Sequence, residues 1–248
     1  NLGAFRWGRV AVADPAAFAN AAARRDTTPR PVDPLPGSPL AGSTRAAAAV
    51  RVPELDAYGG ARLARSYLDT LEQAWEAERR VGDRTEFSEA VAAGLHRVLA
   101  YKDEYEVARL LTAPAFLDSI GEELPGARRI HYRLQPPLLR ALGMRRKIAL
   151  GTSSAAPFLR VLARLRFLRG TPFDPFGRAR VRRVEQALAR EYPTLVRTLA
   201  ASLDREGYDH AVAVASAIEL VKGYEGIKLA SVGRYRGRTG ELCFAPGA

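Results

Sequence analysis

The sequence predicts a mainly α-helical domain with one small β-hairpin, preceded by a Pro-rich linker. Three observations carry that prediction. Apolar residues recur at helical spacing over most of the chain beyond residue 53. One stretch, RRIHYRL, alternates apolar and polar side chains instead. Between Asp26 and Ser43 the sequence DTTPRPVDPLPGSPLAGS holds five prolines, each removing a backbone donor and restricting the residue before it.

Taken in order, the first residues, NLGAFRWGRV, have helical apolar spacing at Leu2, Phe5 and Val10 but no initiator methionine. They are expected to belong to a longer polypeptide, with a short alanine-rich helix following at Ala16–Arg24. After the linker, Ala64, Tyr67, Leu68, Leu71, Ala74 and Trp75 share one face of an amphipathic helix with charges opposite. GDRT interrupts it, and Ser88 is the predicted N-cap of the next helix. That helix runs through Val91, Leu95, Val98 and Leu99 towards Leu111, because Tyr101, Tyr105 and Ala108 extend its stripe. A third, PAFLDSIGEEL, ends near Pro125–Gly126.

Ile130, Tyr132 and Leu134 then alternate with His131 and Arg133, and MRRKIAL is the expected partner strand across the loop QPPLLRALG. Helical spacing returns in AAPFLRVLARLRFLRG, RARVRRVEQALAREYPTLVRTLAASL and YDHAVAVASAIELV. GTPFDPFG separates the first two as a turn, and Pro193 is expected to kink the second or to start a new helix.

At 248 residues with 47% hydrophobic content the chain can bury a sizeable core. Its net charge of +11 favours polyanions. Only Lys102, Lys147, Lys222 and Lys228 are lysines, so nearly all of the basic charge is arginine. The single cysteine, Cys243, excludes an internal disulfide and any cysteine-only zinc or iron–sulfur site within this chain. A reducing, cytoplasmic setting follows as the expectation. No apolar run is long enough for a membrane span, and the start lacks the form of a secretory signal.

Catalytic motifs are sparse. His96, His131 and His210 have no metal-ligand spacing. Ser153 and Ser154 precede a helix without the Gly-x-Ser-x-Gly elbow, which makes them capping residues. Neither a phosphate loop nor a G-x-G-x-x-G string follows a strand. In RGTPFDPFGRARVRR, Arg169, Arg178, Arg180, Arg182 and Arg183 lie around a tight turn and the first turns of a helix, with Phe173 and Phe176 within reach of the cations. A solvated face with Asp174 capping the turn, a domain interface and a phosphate clamp all fit that string. Without a helix-turn-helix, zinc-finger or RNP pattern, nucleic acid is not the expected partner.

The strings LAYKDEYEVARLL, YRLQPPLL, RLRFLRGTPFDPFGRARVRRVEQALAREY and ELVKGYEGIKLASVGRYR resemble the C-terminal region of the fused indolepyruvate ferredoxin oxidoreductases. The opening NLGAFRWGR is similar to the closing segment of that family's preceding γ-type domain. The resemblance implies an enzyme that oxidatively decarboxylates 2-oxo acids to acyl-CoA, using thiamine diphosphate with magnesium and iron–sulfur clusters that reduce ferredoxin. None of these cofactors is expected in this segment. The chain has only two asparagines, Asn1 and Asn20, and one cysteine, so no family catalytic residue maps onto it.

The resulting expectation divides the chain into a closing helical segment at residues 1–25, a linker at 26–52 and a C-terminal helical domain at 53–248. That domain is non-catalytic. It serves other domains of the same polypeptide, in a homo-oligomer that meets ferredoxin and CoA as a whole. Its predicted interface residues are Tyr101, Lys102, Asp103, Glu104, Tyr105, Arg109, Asp174, Arg182 and Arg183. In that reading Tyr101, Tyr105, Val107 and Leu111 anchor the contact, while Lys102, Asp103, Glu104 and Arg109 pair at its rim. The alternatives are a polyanion-binding helical module, which the net charge favours, and a small independent enzyme.

Overall fold

The computed structural model describes residues 2–17, 33–123, 131–134 and 148–244. Most of the predicted Ala16–Arg24 helix, the segment 26–32, the loop 135–143 and residues 144–147 lie outside these. The described chain is mainly α-helical. The helices are α1 (Leu2–Ala13), α2 (Gly42–Gly59), α3 (Ala61–Val81), α4 (Glu86–Leu99), α5 (Glu104–Leu111), α6 (Pro114–Glu123), α7 (Thr152–Arg164), α8 (Arg180–Ala201), α9 (Tyr208–Ser216) and α10 (Glu225–Phe244). Short 3₁₀ turns follow α7 at Leu165–Leu168 and α9 at Ala217–Leu220. Strand β1 (His131–Leu134) pairs antiparallel with β2 (Ile148–Gly151), Tyr132 opposite Leu150.

Helix α4 is the centre of the main bundle, packed by α2, α3, α8 and α9. Its apolar spacing puts Phe87, Val91, Leu95 and Val98 into the core, where they meet Tyr67, Leu71 and Trp75 of α3 and Tyr192 and Val196 of α8. Fully burying a side chain of this size contributes roughly 1.5–3 kcal/mol. A second, smaller apolar cluster joins Ala108 of α5, Tyr132 of β1, and Ala155 and Leu159 of α7.

The linker is shorter than the sequence predicts. Gly42–Gly59 is helical, and Thr44, Ala48, Leu55 and Tyr58 are buried on its inner face. Leu35 and Leu40 of the Pro-rich stretch also enter the main core. The folded unit therefore begins by Leu35, because apolar side chains between the prolines find a place against α2 and its neighbours.

The α4 start also differs from its prediction. The helix begins at Glu86, and Ser88 lies inside it, its hydroxyl donating to the Thr85 carbonyl at 3.1 Å. The open amides of Phe87 and Ser88 donate instead to the buried carboxylate of Glu78, at 2.8 and 3.1 Å, which also accepts from the Tyr208 hydroxyl at 2.6 Å. A capping carboxylate from a neighbouring helix does here what a local serine does elsewhere.

Nor does α4 continue to Leu111. It ends at Leu99, and an extended stretch leads to α5. Pro193, expected to kink or restart α8, lies within one 22-residue helix. Helix α10 was not legible as a helix at all, since Gly226, Gly233, Gly237 and Gly240 dilute its apolar pattern.

Gly94 lets α4 and α8 approach. A Cβ there would lie 2.1 Å from the Tyr192 hydroxyl and 2.8 Å from Ile218, and that hydroxyl is fixed by donating to the Ala215 carbonyl at 2.9 Å. Gly94→Ala should therefore destabilise the protein by about 1–3 kcal/mol through overpacking, although helix propensity alone favours alanine by roughly 1 kcal/mol. Urea unfolding of the two proteins measures the sign.

Candidate functional site

The break between α4 and α5 builds the site. In AYKDEYE, Asp103 adopts extended backbone (φ −119°, ψ −178°) and its side chain accepts from the Glu106 amide at 2.8 Å. Aspartate at the cap, with Glu104 and Glu106 in the first turn, suits the positive end of a helix. The chain leaves α4 at Ala100 and re-enters a helix at Glu104, placing Tyr101 and Asp103 inside the protein with Lys102 outside.

Asp103 is 3% exposed and holds Arg169 in a two-bond fork, Nε to Oδ2 at 2.5 Å and Nη2 to Oδ1 at 3.1 Å. The third nitrogen of Arg169 donates to the Tyr58 carbonyl at 2.9 Å, and the guanidinium lies 3.7 Å from the centroid of the Tyr58 ring. The Tyr58 hydroxyl donates in turn to the Tyr101 carbonyl at 2.8 Å. Burial alone would lower the Arg169 pKa, but its hydrogen bond and charge interaction with Asp103 outweigh this and raise it. The guanidinium stays protonated.

A second fastening lies alongside. The Tyr105 hydroxyl donates to buried Asp174 at 3.0 Å, and its ring meets Phe176 edge-on at 5.3 Å. The same carboxylate accepts the amides of Gly170 and Phe176, each at 3.0 Å. Asp174 thus caps the turn, as in the solvated-face reading of this string. Gly170 has φ +72°, which a side chain rarely tolerates. A Cβ at Gly177 would lie 2.8 Å from the Asp174 carboxylate. The glycines of LRGTPFDPFG thus serve the turn.

Arg182, at the start of α8, closes the seam. It donates to the Lys102 carbonyl at 2.8 Å, to Glu185 at 2.6 Å and to both oxygens of Glu104 at 3.2 Å. Lys228 of α10 takes the other oxygen of Glu185. Burial, then the charge of Asp103, pushes Tyr101 up to about 12 and Tyr58 higher still. Burial and the hydrogen bond to Asp174 likewise raise Tyr105. These hydroxyls remain neutral at physiological pH, and those of Tyr58 and Tyr105 act as donors.

Tyr101, Asp103, Glu104, Tyr105, Asp174 and Arg182 thus come together, but as bonds within the chain. The predicted docking anchors Tyr101 and Tyr105 are 7% and 1% exposed, their rings occupied by this seam. Asp103 and Glu104 pair with Arg169 and Arg182 of the same chain. Arg109 pairs with Glu106 on its own helix at 2.6 Å. Arg183, with Arg178 and Arg180, is exposed, so the arginine string splits between seam and surface.

Sequence reasoning missed Tyr58, Glu185 and Lys228 as members of the site, although Glu185 and Lys228 lie within the strings RVRRVEQALAREY and GYEGIK. It also missed a pocket of about 260 Å³ beside the seam, whose lining includes Arg97, Lys102, Glu185, Lys222, Tyr224 and Lys228. Among the described residues no three histidine, cysteine, aspartate or glutamate side chains form a metal-ligand group.

Residues 44–241 match the model of a family of unknown function, DUF6537. The chain belongs to that family. The matched span runs from α2 into α10 and takes in the bundle, the seam and the pocket. No curated protein and no solved structure matches the chain. No described helix is long and apolar enough to cross a membrane.

In this DUF6537 member Asp174→Ala should cost about 2–4 kcal/mol, since it strands a buried hydroxyl and two amides. Tyr105→Phe removes one hydrogen bond to a charged group and should cost about 1.5–3 kcal/mol. Urea denaturation with both variants checks that order.

Proposed function

We propose that this chain is the C-terminal, non-catalytic domain of an enzyme resembling the fused indolepyruvate ferredoxin oxidoreductases, which convert a 2-oxo acid to acyl-CoA and reduce ferredoxin. One observation carries the reading. Three strings on which the resemblance rests, AYKDEYE, LRGTPFDPFG and GYEGIK, are far apart in sequence yet meet in one place. Asp103 binds Arg169, Tyr105 binds Asp174, and Lys102 lies 6.0 Å from the Tyr224 ring centroid. Strings that form one structural unit have a common reason to occur together.

The chemistry of that unit supports a scaffolding role. Its carboxylates are matched to guanidinium, ammonium, amide or hydroxyl donors, and its tyrosines are held neutral. Such a cluster fixes geometry and has no group poised as a nucleophile or base. Thiamine diphosphate, magnesium and the iron–sulfur clusters belong, in this reading, to the preceding part of a cytoplasmic polypeptide. Contact with other domains or a second copy then falls to outward apolar side chains rather than to buried Tyr101 and Tyr105. Phe158 and Val161, three apart on α7, are 64% and 55% exposed, and Phe167 and Phe173 beyond them are 70% and 80% exposed. Large apolar groups this exposed mark contact surfaces where they cluster.

Binding of polyanions is the second reading, favoured by the net charge of +11 and by exposed Arg178, Arg180 and Arg183. Nucleic-acid affinity falling steeply with salt would support it.

The coding frame upstream of Asn1 tests the first reading. It should encode a thiamine-binding Gly-Asp-Gly with its downstream asparagine and clustered cysteines. The longer polypeptide should reduce ferredoxin with a 2-oxo acid and CoA, and residues 1–248 alone should not. A frame without those motifs, or turnover by residues 1–248, would overturn it.

A further inference from the structure

The pocket beside the seam is charged in a way the fold does not require. Of the four lysines in the chain, Lys102, Lys222 and Lys228 all line it, with Arg97. Glu185 is the acid among the lining residues, and it is already shared by Arg182 and Lys228. Lys102 and Lys222 have no carboxylate partner among the described residues and are exposed. Holding like charges around one concavity costs free energy that a bound anion recovers. In a chain whose cations are nearly all arginine, three compact ammonium groups on flexible stems are collected at this spot, which suits them to phosphate oxygens as point charges.

The backbone adds to this. Gly223 and Tyr224, both lining residues, directly precede α10, so the positive end of a 20-residue helix opens beside the cations. Gly223 takes φ +91°, and a Cβ there would lie 2.6 Å from Ile227. The Tyr224 ring is 72% exposed at the mouth, with the Lys102 ammonium 6.0 Å from its centroid. A volume of about 260 Å³ is at the small end for a pocket that engulfs its ligand. It has room for a phosphate chain, while a planar ring would stack outside on Tyr224.

We propose that this pocket binds a nucleoside diphosphate, the phosphates among Lys102, Lys222 and Arg97 and the base on Tyr224. The site stands on the geometry of residues 97–102 and 221–228, independently of the parent enzyme. Its walls are positioned by the seam, because Arg182 holds the Lys102 carbonyl and Lys228 is tied to Glu185.

Calorimetric titration of the full chain with ADP and with inorganic pyrophosphate at low salt tests this. ADP should bind saturably at one site per chain, at least tenfold more tightly than pyrophosphate. Lys102→Glu with Lys222→Glu should weaken ADP at least tenfold, with circular dichroism unchanged. Tyr224→Ala should weaken ADP and leave pyrophosphate alone. Arg62→Glu with Arg65→Glu, exposed on α3 away from the pocket, is the charge-matched control and should have little effect. The proposal is overturned by absence of saturable ADP binding, by equal losses in the control, or by pyrophosphate binding as tightly as ADP.

Discussion

The Asp103–Arg169 pair is the contact on which the second half of the structure depends. Removing two charges from water costs several kcal/mol per ion, and such a pair holds only when its remaining hydrogen-bonding capacity is met. Here it is met. Asp103 also caps α5, while Arg169 also binds the Tyr58 carbonyl and covers the Tyr58 ring. One guanidinium therefore joins the end of α2, the connector between α4 and α5, and the turn after α7.

That junction matters because the apolar core does not supply it. The main cluster and the smaller one around Ala108 and Leu159 are separate. The polar seam runs where α5 and the turn after α7 meet the bundle. A polar join is directional, so it sets the orientation of α5 and the turn more narrowly than apolar contact does. It also carries Lys102 to the edge of the basic pocket, since Tyr101 and Asp103 on either side are both buried.

The sequence shows whatever is local and periodic. The buried face of α3, with Tyr67, Leu71, Ala74 and Trp75, is readable from spacing alone, as is the cap that Asp174 provides. The break at Ala100–Asp103 is not readable, because Tyr101, Tyr105 and Ala108 keep the helical interval across it. Long-range polar choices are equally hidden. Asp103 and Arg169 are 66 residues apart, Tyr105 and Asp174 are 69 apart, and the Glu78 cap of α4 replaces a plausible serine. The charged residues of AYKDEYEVARL look like a surface made for another domain. The partners of Asp103 and Glu104, Arg169 and Arg182, lie in the same chain, and only the tertiary fold brings them near.

The central claim is that Asp103 and Arg169 act as one energetic unit. A double-mutant cycle measures this directly, with Asp103→Ser keeping a capping oxygen on α5 and Arg169→Met keeping the buried stem. Each single variant should lose about 3–5 kcal/mol in urea unfolding, by leaving the other charge buried and unpaired. The double variant should lose about 2–3 kcal/mol less than the sum of the two single losses, the coupling of two side chains in direct contact. Losses that add to within about 0.5 kcal/mol would contradict the account, because the two side chains would then be stabilising the fold independently.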